Sequence, residues 1–188
     1  MNTKRLLDIS LAILLLIILF LPIIIFWLLV KITSKGPGIY WSDRVGRNNR
    51  IFKMPKLRTM KIDTPIVATH LLKNTESHIT VIGSFIRKNS IDELPQLWSI
   101  IIGDMSFVGP RPALYNQYDL ISLRKNHGVD KLYPGLTGWA QINGRDDLPV
   151  KKKVELDIEY QKKMSVLFDL KIIFLTLRNV IIRDGISH

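Results

Sequence analysis

One apolar run, Leu11–Val30, limits what this chain can fold into more than any other feature. It reads LAILLLIILFLPIIIFWLLV and holds no charged residue and no side-chain amide. As a helix it would be about 30 Å long, which is the thickness of the hydrocarbon core of a bilayer. A cleaved signal peptide has a shorter apolar stretch and a small-residue cleavage site, whereas Lys31, Ile32 and Thr33 follow this run. Because so short a chain can hardly enclose a helix that is apolar on every side, the run predicts a membrane segment.

Basic residues flank the apolar run on both sides. Lys4 and Arg5 precede it, and Lys31 and Lys35 follow it. Since basic residues prefer the cytoplasmic side of a membrane, both ends favour that side. Pro22 near the centre of the run removes one backbone hydrogen bond and crowds the preceding turn. A helix that breaks at Pro22 and returns to the same face explains both facts, but a spanning helix also tolerates proline, so the residues leave both topologies open.

The composition of the chain limits the kinds of partner that it can bind. The 188 residues carry a net charge of +11 and include no cysteine. The positive charge calls for an anionic partner, which could be nucleic acid, an anionic membrane face or a phosphorylated substrate. The absence of cysteine excludes disulfides, thiolate zinc ligands and a thiol nucleophile, and the four histidines show no zinc-ligand spacing. The sequence offers neither a reading helix nor aromatic residues interleaved on a basic sheet, so we expect no nucleic-acid partner.

The residues beyond the membrane segment predict one domain of the α+β class, mainly helical. We expect residues 1–33 to form the membrane anchor and residues 34–188 to form this domain. Ile39–Trp41 and Ile51–Lys53 flank the turn-rich Gly46–Asn49 and predict a β-hairpin. Residues 61–80 predict a loop with one helical turn, and a helix is expected over residues 90–102. Residues 103–112 and 133–148, which are rich in glycine and proline, predict irregular loops.

The chain from Lys151 onward has a helical pattern. Apolar residues recur every three or four positions and line one helix face; they are Val166, Leu167, Leu170, Ile173, Phe174 and Leu177. Such a face can pack against the core of the domain. It can also lie in the headgroup layer of a membrane, with nearby lysines directed at lipid phosphates.

Candidate catalytic residues lie between residues 84 and 112. Ser90 and Glu93 fit the capping box S-x-x-E, which would place Asp92 and Glu93 in the first turn of a helix. The partial positive charge of that turn stabilises carboxylates and can bind phosphate. Pro95 would clash inside a helix, so the helix could begin one or two residues later. A purely structural explanation, in which Ser90 caps the helix and Glu93 closes the box, remains open from the local sequence.

Cationic side chains on both sides of these carboxylates favour phosphate chemistry. Arg87 precedes the acidic pair and Arg111 follows it in the sequence Gly-Pro-Arg-Pro. An ionised carboxylate can attack phosphorus and form an acyl phosphate. Mg²⁺ needs only one or two carboxylates together with substrate phosphate oxygens. Surface salt bridges are the ordinary alternative for both arginines.

Several motifs together resemble those of the bacterial sugar transferases, the monotopic phosphoglycosyl transferases. The resemblance covers almost the whole chain and is specific. Its segments are Phe52–Lys53, Lys56–Met60, Asp92–Leu97, Gly103–Pro112, Pro134–Arg145, Leu156–Asp157 and Phe168–Lys171.

The resemblance implies an activity. The chain would transfer a sugar-1-phosphate from a UDP-sugar, by resemblance an N-acetylated hexosamine derivative, to undecaprenyl phosphate and release UMP. Asp92 would be the nucleophile and the Mg²⁺ ligand, and Glu93 would be a base or an orienting group. The side chains expected to contact phosphate or nucleotide are Lys56, Arg87, Arg111 and Arg145. A non-enzymatic membrane-tethered scaffold of an envelope polysaccharide complex is the alternative, and it would not need Asp92.

The resemblance also implies an architecture. A re-entrant helix broken at Pro22 would dip into one leaflet of the bacterial inner membrane. Interfacial amphipathic helices and the small hairpin would surround one catalytic domain on the cytoplasmic face. An active site at headgroup level would receive a water-soluble donor and a lipid acceptor, each from its own phase.

Overall fold

The apolar run forms the central part of one long helix, α1 (Thr3–Thr33). The computed structural model describes residues 3–65, 67, 75–144 and 147–182. Within them, α1 is the one helix that is long and apolar enough to cross a membrane by length and composition. Its 31 residues continue through Pro22 without interruption in the described chain, so the expected break at Pro22 is not confirmed. Most of its large apolar side chains are exposed, among them Ile17, Ile18, Phe20 and Leu21.

The first turns of α1 are attached to the rest of the protein by a largely buried polar network. The Lys4 ammonium lies 2.5 Å from Oδ2 of Asp169. The Asp8 carboxylate accepts a hydrogen bond of 2.7 Å from the hydroxyl of Ser106. The Tyr160 hydroxyl donates to Asp169 over 2.8 Å, and burial raises the pKa of Tyr160, so this group stays protonated. Because buried polar groups are costly without partners, these bonds fix where α1 begins.

Arginines hold both ends of α1. Arg5 donates to the carbonyl oxygen of Met105 over 2.8 Å and also to that of Ile100. At the other end, Arg58 donates to the carbonyl oxygen of Ser34 over 3.0 Å. Arg58 directly follows the strand β2 (Ile51–Leu57). The two ends of a helix about 45 Å long are thus attached to the same body of protein.

The predicted β-hairpin is confirmed. Strand β1 (Ile39–Val45) pairs antiparallel with β2, from Ile39 opposite Leu57 to Val45 opposite Ile51. The connecting turn contains two asparagines, Asn48 and Asn49, with positive φ, a conformation that asparagine tolerates better than most residues. The short strand β4 (Ala113–Leu114) adds to the other edge of β1.

The two segments expected to be irregular contain regular structure, so that expectation is wrong in part. Strand β3 (Ser106–Val108) pairs in parallel with β5 (Gly135–Thr137). Strands of three residues are too short to show a period of two in the sequence. The backbones meet so closely that a Cβ at Gly109 would lie 2.2 Å from the carbonyl oxygen of Tyr133. Glycine is therefore needed there for contact between the loops, and not only for a turn.

The remaining helices complete a mainly helical α+β fold, as the sequence predicts. They are α2 (Thr75–His78), α3 (Val81–Lys88), α4 (Gln96–Ile102), α5 (Tyr118–Asn126), α6 (Trp139–Ile142), α7 (Val150–Lys163) and α8 (Val166–Ile182). The largest core cluster joins α1, β2, α4, β3, α7 and α8 around Ile100, Phe107 and Tyr160.

The apolar stripe predicted in the C-terminal region is mostly exposed on α8. Leu167 is 81% exposed, Leu170 56% and Phe174 67%. The opposite side of the helix packs inward, where Ile172 is fully buried. This arrangement favours the interfacial explanation of the stripe over the core-packing one.

The two sides of α8 predict unequal effects of truncation on stability. Replacing Ile172 with alanine removes buried methyl groups, and we expect it to lower the free energy of unfolding by about 2–5 kcal/mol. Leu170→Ala, two positions away, should change the melting temperature in detergent much less, since surface truncations usually stay within about 0.5 kcal/mol. Thermal unfolding followed by circular dichroism in one detergent makes the comparison. Equal losses from both variants would contradict the burial of Ile172.

Candidate active site

The acidic pair lies in a short turn that precedes α4. Residues Ile91–Glu93 form a 3-10 turn, and α4 begins only at Gln96. The predicted capping box is wrong, because Ser90 has a φ of 54° and its side chain makes no capping hydrogen bond within the described chain. The helix starts later than the capping box implies, as Pro95 led us to expect, but the expected delay of one or two residues is too small, because α4 begins only after Pro95, which lacks an N–H and suits the position just before a helix. Asp92 and Glu93 therefore lie in a 3-10 turn before the helix, and not in its first turn.

Four charged side chains form one cluster around this turn. The Lys56 ammonium lies 3.2 Å from Oε1 of Glu93 and 3.8 Å from Oδ2 of Asp92. Nη1 of Arg111 lies 3.4 Å from the same Glu93 oxygen. The side chains of Lys56, Asp92 and Glu93 are only 13–15% exposed. Removing charges from water is costly, so a cluster like this one is more typical of a functional site than of a stabilising surface network.

The charge state of Lys56 is set by competing effects. Burial lowers the pKa of its ammonium group, and the carboxylates of Glu93 and Asp92 oppose that shift. The residue lies on β2, between two buried neighbours, Pro55 and Leu57. The strand thus brings an ammonium group to the carboxylates from one side, and the loop between β3 and β4 brings Arg111 from another.

The structure brings together four of the predicted site residues: Lys56, Asp92, Glu93 and Arg111. Arg87 lies in the last turn of α3, three residues before Ser90. Arg145 lies outside the described residues. The roles assigned to these six side chains remain predictions.

The residues that hold the Arg111 loop were not predicted from the sequence. Arg124 donates to the Arg111 carbonyl, and Arg44 donates to the Pro112 carbonyl. Arg124 follows Arg111 by 13 residues and Arg44 precedes Pro112 by 68. Contacts between residues this far apart leave no local pattern in the sequence.

The carboxylates of the turn suit Mg²⁺ better than a metal ion whose ligands must all come from the protein. Among the described residues, no group of three or more histidine, cysteine or acidic side chains could hold a metal ion. Asp92 and Glu93 supply two carboxylates, and Mg²⁺ commonly uses one or two such groups with phosphate oxygens and water. The cluster therefore fits an ion that arrives with a phosphorylated ligand.

Comparison with known proteins gives the family. The model of the family described as bacterial sugar transferase matches residues 1–183. The chain belongs to the bacterial sugar transferase family. It is 40% identical to the uncharacterized sugar transferase EpsL of Bacillus subtilis, and the match covers 100% of this chain and 92% of EpsL.

Longer relatives have names that state an activity. The chain is 40% identical to a UDP-glucose:undecaprenyl-phosphate glucose-1-phosphate transferase of Escherichia coli, over 93% of this chain and 39% of that protein. It is 38% identical to the galactosyl transferase CpsE of Streptococcus agalactiae, over 97% of this chain and 43% of that protein. The chain thus spans less than half the length of these two relatives.

The charge cluster predicts a characteristic pattern of stabilities. Lys56→Met or Glu93→Leu alone takes the nearest partner from a largely buried charge and leaves the cluster with an excess of one sign, so each should lower the melting temperature. The double variant Lys56→Met/Glu93→Leu removes one charge of each sign, and we expect a melting temperature above that of either single variant. Thermal unfolding in detergent measures all three proteins. A double variant less stable than both single variants would show that the pair is needed for folding.

Proposed function

We propose that this chain is a phosphoglycosyl transferase that moves a sugar-1-phosphate from a UDP-sugar to undecaprenyl phosphate and releases UMP. The observation that carries the proposal is the cluster in which Lys56 and Arg111 flank the carboxylates of Asp92 and Glu93. Relatives named as undecaprenyl-phosphate sugar phosphotransferases, for glucose in Komagataeibacter xylinus and for galactose in Salmonella typhimurium, support the same reaction class.

In the first step, the Asp92 carboxylate attacks the sugar-bearing phosphorus of the donor. A bond forms between the carboxylate oxygen and this phosphorus, and the bond from phosphorus to the bridging oxygen breaks. The electron pair of the broken bond leaves with UMP. The product is an aspartyl phosphosugar, a covalent intermediate of the kind that divides one difficult transfer into two easier ones.

In the second step, a phosphate oxygen of undecaprenyl phosphate attacks the same phosphorus. The bond to Asp92 breaks, its carboxylate is regenerated, and the polyprenyl diphosphate sugar leaves. The two substrates never need to occupy the site together, which suits one donor from water and one acceptor from lipid.

The geometry supports different roles for the two acids. Glu93 accepts hydrogen bonds from both Lys56 and Arg111, so it holds the two cations in place. The 3.8 Å separation between Lys56 and Asp92 is an ion pair without a hydrogen bond. The Lys56 ammonium therefore places positive charge near Asp92 without donating a hydrogen bond to its oxygen. A positive neighbour of this kind favours the carboxylate form, on which nucleophilic attack depends.

The cations have a second task, which is to reduce repulsion between the nucleophile and the donor phosphates. Lys56 and Arg111 lie on either side of Glu93, where phosphate oxygens near Asp92 would find positive charge. Mg²⁺, held by Asp92 together with phosphate oxygens, would add further charge screening when bound. Arg87 and Arg145 are proposed as additional phosphate or nucleotide contacts.

The attachment of α1 supports a monotopic placement on the cytoplasmic face of the inner membrane. Lys4 and Arg5 at one end of α1, and Ser34 at the other, contact one body of protein. A straight spanning helix would separate its ends by a bilayer. We therefore propose that α1 re-enters the leaflet from which it came, with Pro22 as the weak point of the helix, and that α8 lies at the headgroup layer.

Asp92→Asn should abolish UMP release, by at least about a thousandfold, because an amide is a poor nucleophile. The variant should remain folded and bound to membrane, since the two side chains have nearly the same shape. Asp43→Asn is the matched control, because Asp43 lies in an exposed ion pair with Lys53 and should keep wild-type activity. Turnover by Asp92→Asn near the wild-type rate would refute the nucleophile assignment.

The donor sugar can be identified with a panel of UDP-sugars assayed for UMP release. The panel includes UDP-glucose and UDP-galactose, the sugars in the names of relatives, and N-acetylated and deoxygenated UDP-hexosamines, which we expect to be preferred. Release of UMP from none of these donors would favour the scaffold alternative.

The topology can be tested cleanly because the chain has no cysteine. We expect Thr3→Cys and Lys35→Cys to react with a membrane-impermeant maleimide only from the cytoplasmic side, as both ends of a re-entrant helix lie there. Labelling of Thr3→Cys in intact cells whose outer membrane has been permeabilised would show that α1 spans the inner membrane.

A further inference from the structure

The loop that carries Arg111 is held at three consecutive carbonyl groups by donors from distant parts of the chain. The pairs are the Pro110 carbonyl with the Gly135 amide at 2.9 Å, the Arg111 carbonyl with Nη1 of Arg124 at 2.7 Å, and the Pro112 carbonyl with Nη1 of Arg44 at 3.1 Å. Pro110 and Pro112, on either side of Arg111, also have φ angles fixed by their rings. The backbone of Arg111 therefore has little freedom, and the loop sets the direction of its side chain.

One of these donors is itself held by a buried acid. Arg124 lies on α5, and its Nε and Nη2 lie 2.9 Å and 2.8 Å from Oδ2 of Asp157 on α7. The Asp157 side chain is only 2% exposed. Two of the three guanidinium nitrogens are thereby fixed on one carboxylate oxygen, and the third, Nη1, donates to the Arg111 carbonyl. A planar guanidinium group can serve both partners at once, which an ammonium group cannot do with the same geometry.

We propose that Arg124 and Asp157 are positioning residues for the transfer reaction. The pair holds the Arg111 carbonyl, and the held loop keeps the Arg111 guanidinium beside Glu93, from which it lies 3.4 Å away. The inference rests on the proposed function, since its consequence is measured in the transfer of sugar phosphate. A pair that only fastened α5 to α7 would alter stability without any special dependence on Arg111.

The main test is Arg124→Lys in the full chain in lipid nanodiscs, with the preferred UDP-sugar as donor. Lysine keeps the positive charge beside Asp157 but loses the fork that also reaches the loop. We expect kcat for UMP release to fall by about tenfold or more, since small displacements at a reacting centre carry losses of this size. Combined with Arg111→Gln, the same substitution should cost less than about twofold, because the residue it positions is gone. An equal loss in both backgrounds would overturn the proposal.

Hydrogen exchange provides a readout that does not depend on activity. Amides in residues 106–114 should exchange faster in Arg124→Lys than in the wild type, because the loop has lost one of its three donors. If Arg111→Gln turns over too slowly to measure, this exchange decides the question. Unchanged exchange in this segment would then overturn the proposal.

A second variant separates a loss of positioning from a loss of stability. Arg124→Met/Asp157→Leu replaces the buried pair with apolar side chains, an exchange that commonly preserves stability. It should show the same loss of kcat with a melting temperature near that of the wild type. Lys152→Gln/Glu155→Gln removes an exposed pair on the same helix, α7, and should leave activity and exchange unchanged.

The outcomes separate this inference from the proposed function. Failure of both Arg124 variants to fold would make the pair a structural element of the core and overturn the positioning role. Absence of UMP release by the wild type with every donor would instead refute the proposed function.

Discussion

The interaction on which the site depends is the double contact of Glu93 with Lys56 and Arg111. All of these charges are largely withdrawn from water, and burial lowers the pKa of the Lys56 ammonium, so the cluster is costly to bury unless its charges pair with one another. Glu93 balances one of the two positive charges and fixes both side chains. Asp92 next to it then lies in a positive environment without a close hydrogen bond from Lys56. Glu93 thus holds both cations by hydrogen bonds, and the proposed nucleophile Asp92 lies beside them.

Helix α1 and the charge cluster are held by neighbouring segments of the chain. Arg5 at the start of α1 donates to the carbonyl group of Ile100 in α4, the helix that follows the acidic turn, and to that of Met105, three residues beyond the helix. At its other end, α1 is held by Arg58, which lies two residues beyond Lys56 and directly after the end of β2. Helix α1 is therefore attached to segments that carry or adjoin the charge cluster. In the proposed reaction, this attachment would keep a fixed distance between the membrane anchor and the reacting groups.

Some of this structure could be predicted from the sequence, and the parts that could not be have physical reasons. The long apolar run, the hairpin and the helical C-terminal region follow from local patterns of side chains. The capping box failed because Ser90 adopts a left-handed conformation and α4 begins only after Pro95. The parallel pairing of β3 with β5 and the bond from Arg124 to the Arg111 loop join segments far apart in the chain, where no periodicity reports the contact. The acidic pair and its cations were found through residue type and family resemblance, and only the fold brings Lys56 to them.

The central claim is that Asp92 carries the sugar phosphate between the two substrates. Rapid-quench mass spectrometry of the wild-type protein mixed with its UDP-sugar, in the absence of undecaprenyl phosphate, tests it most directly. We expect one UMP released per active site and a peptide containing Asp92 that is heavier by one phosphosugar. A protein that gains no mass, and that releases UMP only when the lipid acceptor is also present, would contradict it.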